Sequence, residues 1–420
     1  MTPTLLLVNK FYHDQGLAGG VGRYLLQEEE DLTAAGWKVV PFAIADADAR
    51  PSPWSESFVR AHDYSAPRWS MSTFGDALSL IWNREAASKL DRLILTTRPQ
   101  VAHLHNIYHH LSPSILPVLA RHGIPVLMTL HDLRLLCPAI HMLRQGQVCE
   151  RCQGGHFYEA VLGRCVKESR AASVLAAIET WHQRKRRLYE RHVTRFICPS
   201  RFYLEKFAAW GFPQSKLIHL PNFVDSDLWR PAVSDPEHAY LYFGRISAEK
   251  GLATLLQAQA LWEAQAAAAD VPILRVAGSG PWQEQLQHQA AGLRLQRYEF
   301  LGPLPVPALQ EVVSRSLFTV IPSQWYENAP MALLESLAAA RPVVGADIGG
   351  IPELIDDGRD GVLFPPGDAA ALQAALARAS SLGPGARRQA RAKAEQAASR
   401  TRHMQRLQEI IADLVKPAAE

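Results

Sequence analysis

Pro322-Ser323-Gln324-Trp325-Tyr326-Glu327-Asn328-Ala329-Pro330 runs straight into Met331-Ala332-Leu333-Leu334-Glu335-Ser336-Leu337-Ala338-Ala339-Ala340. An apolar run, Phe318–Ile321, precedes this stretch and another, Pro342–Val344, follows it, so the order is buried strand, loop, helix, buried strand. Pro330 suits the first helical turn, where a missing N–H is harmless. Glu335 lies in an otherwise apolar helix between two buried strands, and an unpaired buried carboxylate is unfavourable. Hydroxyl donors from a ligand, a sugar or a ribose, explain it best. A solvated helix stripe or a neighbouring Arg is the plainer alternative, and Glu327 in the same loop tips the choice toward a ligand.

The same alternation extends outward. In the second half, strands are predicted over Tyr240–Phe243, Ile273–Ala277, Tyr298–Leu301, Phe318–Ile321 and Pro342–Val344. Helices are predicted over Ala248–Trp262, Pro281–Ala291, Pro307–Val313, Pro330–Ala340 and Ile351–Ile355. The first half repeats the plan, with strands over Leu5–Val8, Lys38–Phe42, Val101–Leu104, Val126–Leu130, Arg195–Cys198 and Leu217–Leu220. Its helices are predicted over Gly20–Ala35, Phe74–Thr96, Pro113–Arg121, Ser169–Arg191 and Arg201–Trp210. Pro221 to Glu237, with prolines at 221, 231 and 236, reads as a hinge. At 420 residues the chain exceeds one ordinary core, which stops growing near about 250–300 residues. The expected division is an α/β domain over 1–221, interrupted by a Cys-rich insertion at 137–165, and a second α/β domain over 222–395. Residues 396–420 form a final helix, for which packing back onto the first domain is one expected course.

Open α/β sheets bind ligands outside the carboxyl ends of their strands, so the loops after strands carry the expected chemistry. Tyr242-Phe243-Gly244-Arg245-Ile246-Ser247-Ala248-Glu249-Lys250-Gly251 places an Arg and a Lys just after a strand, where they can neutralise a diphosphate without a metal. Gly19-Gly20-Val21-Gly22 after the first strand, and Gly349-Gly350 later, let backbone approach a ligand. Thr129-Leu130-His131-Asp132 sets a His at a strand end, where it can hydrogen-bond a sugar. Taken singly, His131 reads as structural, and so do His103 and His105. Gly278-Ser279-Gly280 lacks the third glycine of a dinucleotide fingerprint, and Asp46-Ala47-Asp48 reads as a surface loop.

In their order along the chain, Gly19-Gly20-Val21, Leu130-His131-Asp132, Pro199-Ser200-Arg201, Pro221-Asn222-Phe223-Val224-Asp225, Gly244 to Gly251 and Glu327-x7-Glu335 resemble glycosyltransferase family 4 over nearly the full length. The resemblance implies a GT-B fold, two Rossmann-like domains facing across a cleft, and a retaining hexosyltransferase. It implies that Arg245 and Lys250 hold the donor diphosphate, that Glu335 binds the ribose, and that Glu327 with the backbone of Asn328 and Ala329 grips the hexose. Gly19 and Gly20 would bring N–H groups near the diphosphate, and His131 would stand beside the reacting carbon. A donor phosphate oxygen would take the acceptor proton on the same face, so no protein nucleophile is required. Relatives often carry Gly or Ser where Trp325 stands, which leaves the sugar open.

The composition, 48% hydrophobic and 20% charged with a net charge of +3, is that of a globular protein without a polyanion signature, so no nucleic-acid partner is expected. No apolar run is long enough to span a bilayer, and the first ten residues are too short a run for a signal peptide. The expected location is the cytoplasm, with the inner face of the membrane as a place of contact, since Trp181-His182-Gln183-Arg184-Lys185-Arg186-Arg187-Leu188-Tyr189 is basic with an aromatic edge. A solvated helix face explains that segment equally well. The expected partners are a UDP- or GDP-linked sugar and a glycan or polyprenyl-linked acceptor, in surface polysaccharide synthesis. An epimerase of the same fold and a non-catalytic nucleotide-sugar-binding protein are the alternatives. No catalytic cofactor is expected. Cys137, Cys149, Cys152 and Cys165 suit a structural zinc in a segment with little core of its own; disulfides, an iron–sulfur cluster and unligated thiols stay open.

Overall fold

The computed structural model describes residues 2–13, 19–61 and 79–415. Two six-stranded sheets, all of their strands parallel, carry the architecture. In the first, the strands run side by side as Leu217–His219, Arg195–Cys198, Val126–Thr129, Val101–Leu104, Thr4–Val8 and Lys38–Phe42. In the second, the order is Tyr298–Gly302, Ile273–Ala277, Ala239–Phe243, Thr319–Ile321, Val343–Ala346 and Gly361–Phe364. Each order reverses once, beside the first strand of its domain, and such switch points are where open α/β sheets form crevices.

Both faces of each sheet are covered, which is why the strands read as continuous apolar runs. Alternation along the first strand is visible in the core. Leu6 and Val8 pack into the cluster with Leu90, Leu116 and Phe207, while Leu5 and Leu7 face Leu25, Leu32, Leu407 and Ile411. The last two belong to the helix Arg400–Val415, so that helix lies on the first domain. Arg400 fixes this return with a fork onto Asp31, 2.8 Å to each oxygen, and a bond of 2.9 Å to Asp225 in the connecting segment. The chain therefore crosses between the domains twice, and the two crossings touch: the Val224 N–H donates to the Ala398 carbonyl at 2.9 Å.

Several elements depart from the sequence reading; the helix expected over Ile351–Ile355, for one, is only a 3₁₀ turn, Pro352–Leu354. The helix expected over 169–191 is two, Arg170–Lys185 and Leu188–His192, because Arg187 takes a left-handed conformation (φ 50°) that turns Leu188 and Tyr189 into the core. The stretch Ala248–Trp262 begins as a 3₁₀ turn, Ala248–Lys250, and becomes α-helical over Leu252–Gln265 after Gly251. The strand Gly361–Phe364 was not foreseen. The helix expected from Phe74 begins outside the described residues; the segment Arg84–Thr97 is helical, capped by the Asn83 side chain. No described helix is long and apolar enough to cross a membrane.

Candidate functional site

The loop 322–330 leaves the strand Thr319–Ile321 at the switch point of the second sheet and enters the helix Met331–Ala338. Gly251 lets it come close: at φ 71°, a Cβ there would stand 1.8 Å from the Pro322 carbonyl oxygen. That approach carries Lys250 to Glu327, where Nζ and Oε1 are 2.7 Å apart. Ser323 Oγ and Trp325 Nε1 donate to the same oxygen at 2.6 and 2.8 Å. Burial alone would raise the Glu327 carboxyl, but the Lys250 ammonium and these two donors hold it below the ordinary carboxylate value. Glu327 is thus a preformed anion with its second oxygen free of that cluster. Trp325 also lies over the Lys250 ammonium, 5.2 Å from ring centre to nitrogen, and narrows the space on this side.

Eight residues on, Glu335 is buried and makes an ion pair with Arg23 of the first domain, Nη1 to Oε1 at 2.8 Å. Its other oxygen, Oε2, has no hydrogen-bond partner. Burial raises this carboxyl above the usual range, and Arg23 only partly opposes the rise. Glu335 and Arg23 line a small cavity with Asp225, Trp229 and Met331. A buried acceptor of this kind is suited to a hydroxyl donor.

Across the cleft, a cavity of roughly 240 Å³ brings together Gly20, Tyr24 and His131 of the first domain with Lys250, Trp325, Glu327, Asn328 and Ala329 of the second. Asn328 ties the walls together: its Nδ2 donates to the Leu130 carbonyl at 2.8 Å, and its Oδ1 accepts from Ser200 Oγ at 2.9 Å. The Asn222 amide holds the Ala329 carbonyl at 3.0 Å. Behind His131 runs a buried chain. His131 Nε2 meets His105 Nδ1 at 2.9 Å in a near-parallel stack, and His105 Nε2 is 3.5 Å from Glu28. His103 joins Glu28 at 2.5 Å and Thr129 Oγ1 at 2.8 Å. Glu28, His103 and His105 are the one group among the described residues whose donor atoms all lie within 4.8 Å of one another. Both His103 nitrogens are already hydrogen-bonded, to Glu28 and Thr129, which leaves His103 no nitrogen for a metal; His105 Nε2 and Glu28 Oε2 have no hydrogen-bond partner.

Burial, aided by the nearby His103, lowers the His131 pKa from 6.5 to about 3. The neutral imidazole therefore persists from neutral pH down to that value, whereas in the unfolded chain it protonates near 6.5. Its ring resonances are expected to stay unshifted between pH 8 and 5 in NMR of histidine-labelled protein. A titration near 6.5 assigned to His131 would contradict this burial.

Not every expected residue faces the cavity. Arg245 is largely exposed and is held by Glu249, 2.6 Å away, so the structure leaves it outside the cavity lining that contains Lys250. Gly19 is the N-cap of the helix Gly20–Ala34, and Gly20 alone of the pair lines the cavity. The Gly349-Gly350 loop serves the protein itself: at Gly350 a Cβ would meet the Asn328 carbonyl at 1.9 Å, and the Gly350 N–H donates to the Glu327 carbonyl at 2.9 Å. Glu353, just after it, caps the first-domain helix Arg201–Ala209 by accepting the Arg201 and Phe202 N–H groups. Cys137, Cys149, Cys152 and Cys165 line a separate small cavity. Glu28, Tyr24 and Arg23 escaped the sequence reading. An acid buried at 28 within the polar run Gln27-Glu28-Glu29-Glu30-Asp31 gives no signal by itself.

Two doubly wound domains, joined across a cleft by the helix-to-helix pair Arg23–Glu335 and by the loop contact Asn328–Leu130, make the GT-B glycosyltransferase architecture. The model for Glycosyltransferase Family 4 matches residues 18–228 and that for Glycosyl transferases group 1 matches residues 225–398. The chain belongs to glycosyltransferase family 4. It is 27% identical over 323 residues to alpha-maltose-1-phosphate synthase of Mycolicibacterium smegmatis, covering 72% of this chain and 71% of that protein. Glycogen synthase of Mycobacterium tuberculosis is 26% identical over 402 residues, 89% of this chain and 85% of that one. In fold, the chain is similar to sucrose-phosphate synthase of Thermosynechococcus elongatus, with a TM-score of 0.67, 18% identity, and coverage of 98% and 99%. Anabaena HepE in complex with UDP and glucose gives a TM-score of 0.66 at 17% identity, covering 98% of this chain and all of that one.

Proposed function

We propose that this glycosyltransferase moves a hexose from a UDP- or GDP-linked donor to a glycan or polyprenyl-linked acceptor, with retention and without a catalytic metal. The observation that carries the reading is the Lys250–Glu327 pair beside His131 in one interdomain cavity, with the half-satisfied Glu335 next to it. Lys250 neutralises the departing diphosphate, and Arg245 joins it when released from Glu249. Glu335 Oε2 takes the ribose hydroxyls. Glu327 accepts from hexose hydroxyls, the Asn328 and Ala329 backbone lines the sugar, and neutral His131 hydrogen-bonds it beside the reacting carbon. The acceptor oxygen bonds to that carbon as the carbon–phosphate oxygen bond breaks, and the acceptor proton passes to the leaving phosphate on the same face. Preorganised charge of this kind is the largest single contribution in many enzymes.

The acceptor side supports a lipid-linked substrate and a role in surface polysaccharide synthesis at the inner membrane face. Val174, Ile178 and Trp181, at 40, 47 and 51% exposure, form one stripe on the helix Arg170–Lys185. Exposed Lys185, Arg186 and Arg187 follow it. One assay tests the reading: UDP-glucose first, since fold neighbours are solved with UDP, then other UDP and GDP sugars. Each donor is tested alone and with a polyprenyl-diphosphate-linked sugar in anionic vesicles. Transfer that continues at an undiminished initial rate in EDTA is expected. Isomerised donor without transfer, or full loss in EDTA restored by magnesium, would refute it.

A further inference from the structure

The insertion that interrupts the first domain brings its four cysteines to one place. Cys137 follows the loop after His131. Cys149 and Cys152 flank the turn after the hairpin Leu143–Arg144/Gln147–Val148, and Cys165 ends the short helix Tyr158–Leu162 and its turn. All four line a single cavity of about 20 Å³, the scale of one ion. None is in a disulfide. Cys137 and Cys152 are buried and the other two half-buried, so the cluster is shielded from solvent. Arg144 lines the same cavity and is paired with Glu159 at 3.2 Å. Glu159 lines the cavity as well, so the pair leaves the four thiols as the groups able to hold a cation there. Zinc–sulfur bonds of about 2.3 Å put tetrahedral sulfurs roughly 3.8 Å apart. No three of these sulfurs lie within 4.8 Å of one another, so holding one ion requires them to close inward.

The same segment reaches the donor loop at two points. Glu150, inside the Cys149–Cys152 turn, accepts from Tyr326 Oη at 2.7 Å and from Lys206 Nζ at 2.6 Å. His141, between Cys137 and Cys149, lies against Trp325 with ring centres 4.9 Å apart. Tyr326 and Trp325 are the residues immediately before Glu327. We propose that Cys137, Cys149, Cys152 and Cys165 bind one zinc ion, and that the zinc-held knuckle props the loop 322–330 through Glu150 and His141. Binding releases the thiol protons to solvent and changes no oxidation state. Both halves stand on contacts within this chain and are independent of which sugar it transfers.

The test uses the full chain purified without added metal. Elemental analysis is expected to find about one zinc per chain, released by a mercurial thiol reagent and lost in Cys149→Ser/Cys152→Ser. Should that variant not fold, replacing zinc by cobalt in the unmodified chain decides the point. Thiolate-to-cobalt absorption with tetrahedral d–d bands supports the site, and octahedral cobalt spectra overturn it. A metal-free, folded protein with five titratable thiols overturns it too, as do two disulfides by mass spectrometry or iron with acid-labile sulfide. The propping is read separately by hydrogen exchange of residues 322–330 without any donor. Exchange is expected to quicken when a chelator strips the zinc and to recover on adding zinc sulfate. Unchanged exchange on stripping would overturn that half alone.

Discussion

Lys250→Ala is expected to lower kcat/KM for transfer by roughly 10²–10³, the usual loss when one preorganised charge-stabilising donor is removed from a transition state. Lys250 has two tasks, and they separate. In the free enzyme it neutralises Glu327, whose remaining donors are Ser323 Oγ and Trp325 Nε1. Leaving that buried carboxylate without its counter-ion should reduce stability by about 1–3 kcal/mol, at the lower end because the lysine is partly solvated. Glu327→Gln in the same chain removes the stranded charge, so the double variant should regain most of the lost melting temperature while transfer stays lost. Thermal unfolding and initial rates on the four members of this cycle provide the check. A Lys250→Ala enzyme with near-normal turnover would sink the assignment, and a double variant no more stable than Lys250→Ala would show that the pair is not what holds Glu327.

Glu335→Gln should do the reverse in the free protein. The native carboxyl is buried, is paired on one oxygen only, and has its pKa raised, so ionising it opposes folding. A raised acid pKa means that this penalty is full above the folded value and vanishes as pH falls toward the unfolded value near 4.5. Glu335→Gln is therefore expected to match or exceed the parent in melting temperature at pH 7, with the difference shrinking toward pH 4. Arg23, partly exposed, loses its partner but keeps access to water, which limits the offset. Donor binding should suffer strongly. Hydrogen bonds to a charged acceptor contribute about 1.5–3 kcal/mol, or roughly 10- to 150-fold in affinity for the first hydroxyl lost. Calorimetric titration with the nucleoside diphosphate alone reads this without turnover. Equal affinity in parent and variant would remove Glu335 from the donor site.

Much of this was legible in the residues. Runs such as Ile273–Ala277 and Arg195–Cys198 are strands in the structure with the bounds their composition suggests, because strands buried on both faces must be apolar throughout. Gly361–Phe364 escaped because four residues between an Asp/Gly turn and Pro365-Pro366 look like loop until a neighbouring strand is present to pair with. Glu335 stands out as a charge where an apolar residue belongs; the structure pairs one of its oxygens with Arg23, as the plainer alternative has it, and leaves the other unpaired. Arg245 shows the opposite limit. The sequence counts a cation near the phosphates but not the competing anion, and Glu249, four residues on, closes on it. The chain from Glu28 through His105 to His131 joins three elements distant in sequence, and only the parallel pairing of Thr4–Val8 with Val101–Leu104 and of the latter with Val126–Thr129 aligns them.

The return of the helix Arg400–Val415 to the first domain makes that domain discontinuous, since Leu5 and Leu7 share a core with Leu407 and Ile411 from beyond the second domain. On a ribosome, where domains fold as they emerge, the second domain has all of its strands in hand before the first can cover Leu5, Leu7 and Leu25. Until Leu407 and Ile411 arrive, the part of the Leu5 and Leu7 face of the first sheet that the helix Gly20–Ala34 does not cover stays an open apolar surface. The order of completion is thus the inverse of the order of synthesis.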